Sequence, residues 1–193
     1  MRSRNTAILI FKDVEVLDFT GPYEVFSTAN TEYGEKIFNV FTVAENDKEI
    51  KSANGLRIIP DYTLTNSPPL DILVIPGGNG RKIEMHNPVL LNWIKEKFNK
   101  LEFLLSVCTG AFILGKTGLL DGAKAATHHY SHGEFERTFP NIELVKNVKF
   151  VDNRKIITSA GVSSGINMSL HIISKLLGEE LSKKTAEHIE FDS

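Results

Sequence analysis

The stretch Phe103-Leu-Leu-Ser-Val-Cys-Thr-Gly110 decides the fold class, because it passes from a strand pattern into a helix pattern without a linker. Residues 103–107 form an apolar run without clean alternation, which is typical of a strand covered on both faces. Residues 109–116 are mostly apolar and predict a buried helix, which leaves Cys108 at the turn. Strands that lead directly into helices are typical of α/β proteins.

The same alternation recurs along the whole chain. Further strands are predicted at residues 7–11, 37–44, 70–75 and, as the second arm of a hairpin, 155–158. Helices are predicted from Pro22 to residue 29 and at 88–98, 131–139, 163–177 and 179–189. This order predicts one α/β domain over residues 1–193, a three-layer sandwich with a mostly parallel sheet and helices on both faces. In such sheets ligands bind beyond the carboxyl ends of the strands.

Composition excludes several classes of protein. The 193 residues include 22 Lys and Arg against 24 Asp and Glu, and this weak negative balance argues against a dedicated nucleic-acid binder. Cys108 is the only cysteine, so an intramolecular disulfide and a cysteine metal cage are excluded. No uncharged stretch approaches the roughly 20 residues of a membrane span, and no secretory leader is recognisable. We therefore expect no membrane partner and a cytoplasmic location.

Cys108 lies in the pattern small-x-nucleophile-x-Gly, between Ser106 and Gly110, which a sharp strand-to-helix turn requires. We expect bulky side chains at positions 106 and 110 to collide with each other. The following helix points its N-terminus at the sulfur, which favours the thiolate, and amides from Thr109 onward are available for an oxyanion. The alternative interpretation is that Cys108 is a small buried hydrophobic residue.

Two further strand ends carry candidate site residues. Gly77 and Gly78 follow the strand at 70–75, and the Gly78 amide beside Cys108 would complete an oxyanion site, unless the segment is a plain loop. Asp18 lies among apolar residues after the first strand. Burial there would raise the pKa of its carboxyl group, which suits acid-base chemistry. Alternatively, Asp18 caps the helix that begins at Pro22.

A histidine cluster follows another short apolar stretch. His128 would orient the cysteine or contact a ligand. With His132 it has the i, i+4 spacing of metal ligands, but a carboxylate signature is missing, so we predict no metal site. His129 and His132 are interpreted as exposed.

One motif match is attributed to chance. Residues 110–117 satisfy the phosphate-loop pattern G-x-x-x-x-G-K-T. The four intervening residues are apolar helix formers, however, and Gly118 ends the segment where a phosphate loop would begin a helix. We therefore predict that residues 115–118 close the buried helix.

Taken together, these motifs resemble the ThiJ/PfpI superfamily, whose fold is flavodoxin-like and class I glutamine amidotransferase-like. The resemblance covers essentially the whole chain. Within the superfamily the motifs are most similar to isonitrile hydratase and to the amidase-like domain of AraC-type regulators. The segments that carry it are Asp18-Phe-Thr-Gly-Pro-Tyr-Glu-Val-Phe26, Ile75-Pro-Gly-Gly78, Val107-Cys-Thr-Gly110 and Thr158-Ser-Ala-Gly-Val162.

The resemblance implies a small-molecule substrate and a specific chemistry. Cys108 would attack an isonitrile carbon, Asp18 would move protons and Thr109 would support the site, giving an N-substituted formamide without metal or organic cofactor. It also implies a homodimer. His129 stands where these relatives usually have Trp, and Asn167 replaces a common Asp.

Other activities within the superfamily stay open. If the protein keeps the pocket but converts no substrate, it would be a non-catalytic small-molecule-binding or stress-response protein. A glyoxalase or deglycase-type activity ranks lower, because those members place a Glu where this chain has Phe11 and Lys12. PfpI-type peptidase activity is disfavoured by Thr109 after the cysteine. The DNA-binding region of the regulators is expected to be absent from these 193 residues.

Overall fold

The computed structural model describes residues 2–192. Its strands are β1 (Arg4–Leu9), β2 (Phe38–Ala44), β3 (Ile50–Lys51), β4 (Arg57–Ile58), β5 (Tyr62–Thr63), β6 (Ile72–Ile75), β7 (Phe103–Ser106), β8 (Lys124–Ala125), β9 (Glu143–Leu144), β10 (Phe150–Asn153) and β11 (Ile156–Ser159). A seven-stranded sheet runs through the centre in the order β10-β11-β7-β6-β1-β2-β5. All neighbours in this sheet are parallel except the edge strand β10, which forms an antiparallel hairpin with β11. A short antiparallel hairpin pairs β3 with β4, and a short parallel pair joins β8 to β9.

Helices cover the sheet in two groups. The helices are α1 (Val16–Tyr33), α2 (Arg81–Glu84), α3 (Pro88–Phe98), α4 (Gly110–Lys116), α5 (His132–Thr138), α6 (Ser164–Leu177) and α7 (Glu179–His188). Helices α1, α6 and α7 pack against one another, while α2 and α3 contact α4, which lies on β6 and β7. The central strands β6 and β7 are buried along their whole length, as expected for a sheet between two helical layers. The predicted three-layer α/β architecture is thus confirmed.

Helix α1 begins earlier than predicted. It starts at Val16, and Pro22 lies in its interior instead of at its first position. The missing N–H of Pro22 leaves the carbonyl of Asp18 without its helical donor. Within the helix, Oγ1 of Thr20 donates to the carbonyl oxygen of Val16 at 2.8 Å. Packing of Phe19 in the core outweighs the local proline signal.

The segment that matched a phosphate loop is helix α4, as expected for a chance match. Its end is closed by Thr117, whose Oγ1 donates to the carbonyl oxygen of Leu114 at 2.6 Å, and by Gly118 with φ +77°. Within residues 2–192, no helix has both the length and the apolar character to cross a membrane.

Candidate active site

Cys108 occupies a strained turn between β7 and α4. Its φ is +57°, a left-handed conformation that costs a non-glycine residue roughly 1–2 kcal/mol. The surrounding fold holds this conformation from both sides. The Cys108 N–H donates to the carbonyl oxygen of Ala160 at 3.0 Å, and the Cys108 carbonyl accepts from Oγ1 of Thr127 at 2.8 Å. The elbow therefore fixes the thiol at the carboxyl edge of the sheet, where the sequence predicts it.

Gly110 is required at the elbow for a reason other than the expected collision with Ser106. A Cβ on Gly110 would lie against the carbonyl oxygens of Ile75 and Pro76, 2.9 Å from the latter. The constraint thus comes from the end of the neighbouring strand β6. Ser106 is not among the three nearest neighbours of such a Cβ, and the expected collision between bulky side chains at residues 106 and 110 stays a prediction.

Asp18 lies in the first turn of α1 and is completely buried. Its Oδ2 accepts the N–H of Gly77 at 2.9 Å. Among residues 2–192, Oδ1 has no hydrogen-bond partner of good geometry, although the carboxyl and the Cys108 thiol lie close enough to affect each other's pKa. The alternative of a helix cap is wrong, because α1 begins before Asp18 and the carboxylate reaches across to another loop.

Burial raises the pKa of Asp18 from its ordinary value to about 7. The Gly77 N–H lowers this pKa, the charge of Glu15 raises it, and the interaction with Cys108 lowers it. Asp18 is therefore able to take up and release a proton near neutral pH. This is the property expected of an acid-base group.

The amides of Gly77 and Gly78 both have side-chain acceptors in the structure, and their predicted part in an oxyanion site stays a prediction. The Gly77 N–H donates to Asp18, and the Gly78 N–H donates to Oγ1 of Thr109 at 3.1 Å. Both amides are thus engaged in positioning the two side chains. The first glycine is essential for this approach, because a Cβ on Gly77 would lie 2.6 Å from the Thr109 nitrogen and 2.9 Å from Asp18 Oδ2.

The sulfur of Cys108 is approached by the backbone amides of Thr109 and Val162, which lower its pKa. Burial and the charge of Asp18 outweigh them and raise the pKa of the thiol to about 12. The expected stabilisation of the thiolate by the helix N-terminus is therefore overturned: desolvation dominates at this buried position. Cys108 rests as a thiol, and Asp18 is the nearby group that can remove its proton.

A cavity of about 330 Å³ opens onto the thiol. Its walls are mostly polar. The lining residues include Glu15, Gly78, Arg81, Thr109, His128 and Glu134. A larger cavity of about 460 Å³ lies at the ends of β1 and β2, but neither Cys108 nor Asp18 lines it. We therefore place the chemistry in the smaller cavity.

His128 forms part of the cavity wall and is half-buried. Its ring lies over Gly161, its Nδ1 accepts the N–H of Tyr130 at 3.3 Å, and it stacks on His129 at 4.5 Å between ring centroids. Burial lowers the pKa of His128, and the neighbouring His129 and His132 lower it further. The ring is therefore neutral near pH 7.

The other two histidines have different environments. His129 is exposed as interpreted, whereas His132 is half-buried with Nε2 at 3.3 Å from the Thr127 carbonyl oxygen. Within the described part of the chain, no group of three or more His, Cys, Asp or Glu side chains is arranged to hold a metal ion.

Sequence reasoning missed an ion pair in the wall of the cavity. Arg81 is buried, donates twice to Glu134, with Nη1 at 2.9 Å from Oε1, and lies 3.9 Å from the ring centre of Phe112. Arg81 directly follows the glycine loop, which is the one local signal that places it near the site. Its partner in α5 has no such signal.

Val162 was also missed as a site residue, although it ends the segment Thr158-Ser-Ala-Gly-Val162. Its φ is +35°, and its amide lies near enough to the sulfur to lower the pKa of Cys108. A β-branched residue rarely adopts this conformation, so the local sequence gives no indication of it.

Known proteins are similar to this chain in sequence and in fold. A profile of the DJ-1/PfpI family matches residues 4–175. Isonitrile hydratase from Pseudomonas putida is 30% identical over 183 residues, which cover 95% of this chain and 76% of that protein. The HTH-type transcriptional regulator GbdR from Pseudomonas aeruginosa is 25% identical over 186 residues, and the match covers 95% of this chain but only 50% of the regulator.

The fold similarity extends over the full length. The crystal structure of a ThiJ/PfpI family protein from Pseudomonas syringae matches with a TM-score of 0.88 and 27% identity, covering 100% of this chain and 77% of that one. Similar proteins thus include an enzyme and a transcription regulator. With the family profile spanning most of the chain and the elbow cysteine in place, the chain belongs to the DJ-1/PfpI family.

Proposed function

We propose that this protein is a cysteine-dependent hydratase that converts an isonitrile to an N-substituted formamide. The observation that carries the proposal is the pair formed by Asp18 and Cys108. The carboxyl is anchored through Oδ2, its Oδ1 is free, and its pKa near 7 suits proton transfer beside a protonated thiol. The 30% identity to isonitrile hydratase supports the choice of substrate class.

The first half of the reaction forms a carbon–sulfur bond. Asp18 takes the thiol proton as the Cys108 sulfur attacks the terminal isonitrile carbon. The carboxylic acid then returns this proton to the same carbon, giving an enzyme-bound thioimidate, R–N=CH–S–Cys. The amides of Thr109 and Val162 stabilise the sulfur while it carries negative charge.

The second half adds water and releases the enzyme. Asp18 removes a proton from water as its oxygen attacks the thioimidate carbon, and this proton passes to the nitrogen. The tetrahedral adduct then breaks its carbon–sulfur bond, and the hydroxyl proton returns through Asp18 to sulfur. The sum is one isonitrile plus one water to one formamide, with no redox change, so none of these steps requires an electron carrier.

The direct test is turnover of a simple alkyl isonitrile, with the formamide followed by mass spectrometry in ¹⁸O-labelled water. Wild-type protein is expected to place one ¹⁸O in the formamide. Cys108→Ala is expected to abolish turnover, and Asp18→Asn to reduce it by about 10²–10⁴-fold, the usual contribution of an acid-base group. Wild-type protein without turnover, or unchanged turnover in Cys108→Ala, would refute the proposal.

A second candidate is a small-molecule-binding protein without catalysis. It is favoured by the raised pKa of the Cys108 thiol and by the similarity to a transcription regulator. Thermal-shift measurements separate the two candidates. A ligand that stabilises wild type and Cys108→Ser equally, and is not converted by either, would indicate binding.

A further inference from the structure

Glu15 places a carboxylate in the wall of the Cys108 cavity, and the reaction proposed above does not use it. It is the residue before α1, and its side chain makes no capping hydrogen bond. The residue is half-buried and lines the cavity. Its charge acts on both Asp18 and His128, so the carboxylate is near both residues.

Within residues 2–192, the Glu15 carboxylate has no partner of opposite charge, and no hydrogen bond or ion pair engages its side chain. A carboxylate in a cavity wall without such a partner is available to a cationic ligand. A ligand that brings a positive charge into the cavity would supply the missing interaction.

The buried cationic side chain of the same cavity is already paired. Arg81 donates twice to Glu134 and stacks on Phe112. Lys82 is exposed, and no ion pair joins it to Glu15 within residues 2–192. Glu15 is therefore available to a ligand.

We propose that Glu15 binds a positively charged group of the substrate, so that the preferred isonitriles carry an alkylammonium or quaternary ammonium group near the reacting carbon. This inference rests on the proposed hydratase function for the identity of the reacting group only. A cavity of about 330 Å³ has room for such a small cationic molecule. The polar walls make a purely hydrocarbon isonitrile a poorer fit, because its surface would leave them without partners.

The test compares two substrates of the same shape that differ by one charge. They are 2-(trimethylammonio)ethyl isonitrile and its neutral isostere, 3,3-dimethylbutyl isonitrile. Glu15→Gln is expected to lower the ratio of their kcat/KM values by about tenfold, the size of one partly exposed charge contact. Glu15→Asp is expected to retain most of the preference. The quantity compared is the kcat/KM ratio of the two substrates in wild type and in Glu15→Gln. Differences in the intrinsic reactivity of the two isonitriles cancel in this comparison. Any effect of the substitution on Asp18 cancels too, because both substrates undergo the same steps.

Glu24→Gln is the matched control, since Glu24 is exposed, is absent from the cavity wall and lies in helix α1, which begins directly after Glu15. It is expected to leave the ratio unchanged. A ratio that Glu15→Gln does not change would overturn the inference. So would a wild-type preference for the anionic analogue 3-isocyanopropanoate.

Binding separates the failure of this inference from the failure of the proposed function. Dissociation constants of the same isosteric pair are measured by calorimetry in a Cys108→Ala background, with and without Glu15→Gln. If wild type converts neither isonitrile but the cation still binds about tenfold more tightly through Glu15, the hydratase proposal fails and the cation site stands. If turnover occurs and neither kcat/KM nor binding depends on charge, the hydratase stands and the cation site fails.

Discussion

Alkylation of Cys108 tests whether the thiol rests in its protonated form. The thiolate is the reactive species, so the alkylation rate follows the thiol's pKa. Burial and the charge of Asp18 raise the pKa of Cys108 to about 12. We therefore expect Cys108 to react slowly with iodoacetamide at neutral pH and its rate to rise with pH without a plateau below about pH 11.

The size of the effect follows from the pKa. At pH 7 a thiol of pKa about 12 is ionised to about one part in 10⁵, whereas a free cysteine of pKa about 8.5 is ionised to about 3%. This is about 3,000-fold less thiolate. The more basic thiolate is more nucleophilic by about 40-fold, given a Brønsted slope of about 0.4–0.5. The net expectation is alkylation about 100-fold slower than that of N-acetylcysteine.

Because Cys108 is the only cysteine, intact-mass spectrometry reports its modification without background. The rate is measured from pH 6 to 11 in the folded protein and, as a control for access, in protein unfolded in urea. Access alone scales the folded rate by a constant factor, whereas a raised pKa moves the inflection of the profile. The inflection, not the absolute rate, is therefore the deciding measurement.

The Asp18→Asn variant provides a second test, because the alkylation rate and the turnover rate are expected to change in opposite directions. Removing the negative charge lowers the pKa of Cys108, so alkylation between pH 7 and 9 is expected to become faster while isonitrile turnover becomes slower. A cysteine activated by the helix N-terminus alone would instead show an inflection below about pH 8. That inflection, or slower alkylation in Asp18→Asn, would refute the reasoning.

Three further predictions concern stability. Asp18→Asn is expected to raise the free energy of unfolding above pH 7 by up to about 4 kcal/mol, from about three pKa units of 1.36 kcal/mol each. Since the native carboxyl holds its proton between pH 3.8 and about 7, the wild type loses stability as pH rises through this window, and the gain from the substitution disappears below pH 4. Gly110→Ala is expected to cost more than about 3 kcal/mol in urea unfolding, because its Cβ meets backbone carbonyls that have no room to move. Glu134→Gln is expected to cost about 1–3 kcal/mol, because it leaves the buried Arg81 guanidinium with a weaker partner.

Matched controls accompany these measurements. Gly133→Ala, whose Cβ meets only the end of the flexible Arg137 side chain at 3.3 Å, is expected to stabilise helix α5 by about 0.5–1 kcal/mol. Glu136→Gln breaks an ion pair of half-exposed residues and is expected to change stability by less than about 0.5 kcal/mol. Equal effects within either pair of variants, or a pH-independent effect of Asp18→Asn, contradict the corresponding assignment.

Much of the fold could be predicted because its signals are local. The apolar runs and the helix patterns at residues 88–98 and 163–177 identify the layers without tertiary information. The start of α1 could not be predicted, since the proline signal at Pro22 is also local and points to the wrong residue. The first turns of α1 are held by contacts distant in sequence, because Phe19 packs in the core and Asp18 accepts the Gly77 N–H.

The identities of the site residues could be proposed from strand ends, whereas their hydrogen-bond partners could not. The amides of Gly77 and Gly78 donate to Asp18 and Thr109. These contacts depend on how loop 76–80 lies against the elbow, which no local pattern specifies. The homodimer, the substrate and the cytoplasmic location stay predictions.

The pKa values of the site show why a local argument about the cysteine fails. A helix N-terminus acts within one turn and stabilises a thiolate by about 0.3–1 kcal/mol, or up to about 2 kcal/mol in partly buried sites. Desolvation of a buried thiol and repulsion from a buried carboxylate act in the opposite direction and are larger here. A resting thiol is consistent with the proposed reaction, because Asp18 would hold the thiol proton for return to carbon. The raised pKa of Asp18 and that of Cys108 share burial as their main cause, so opening the site to water would bring both groups back toward their ordinary values.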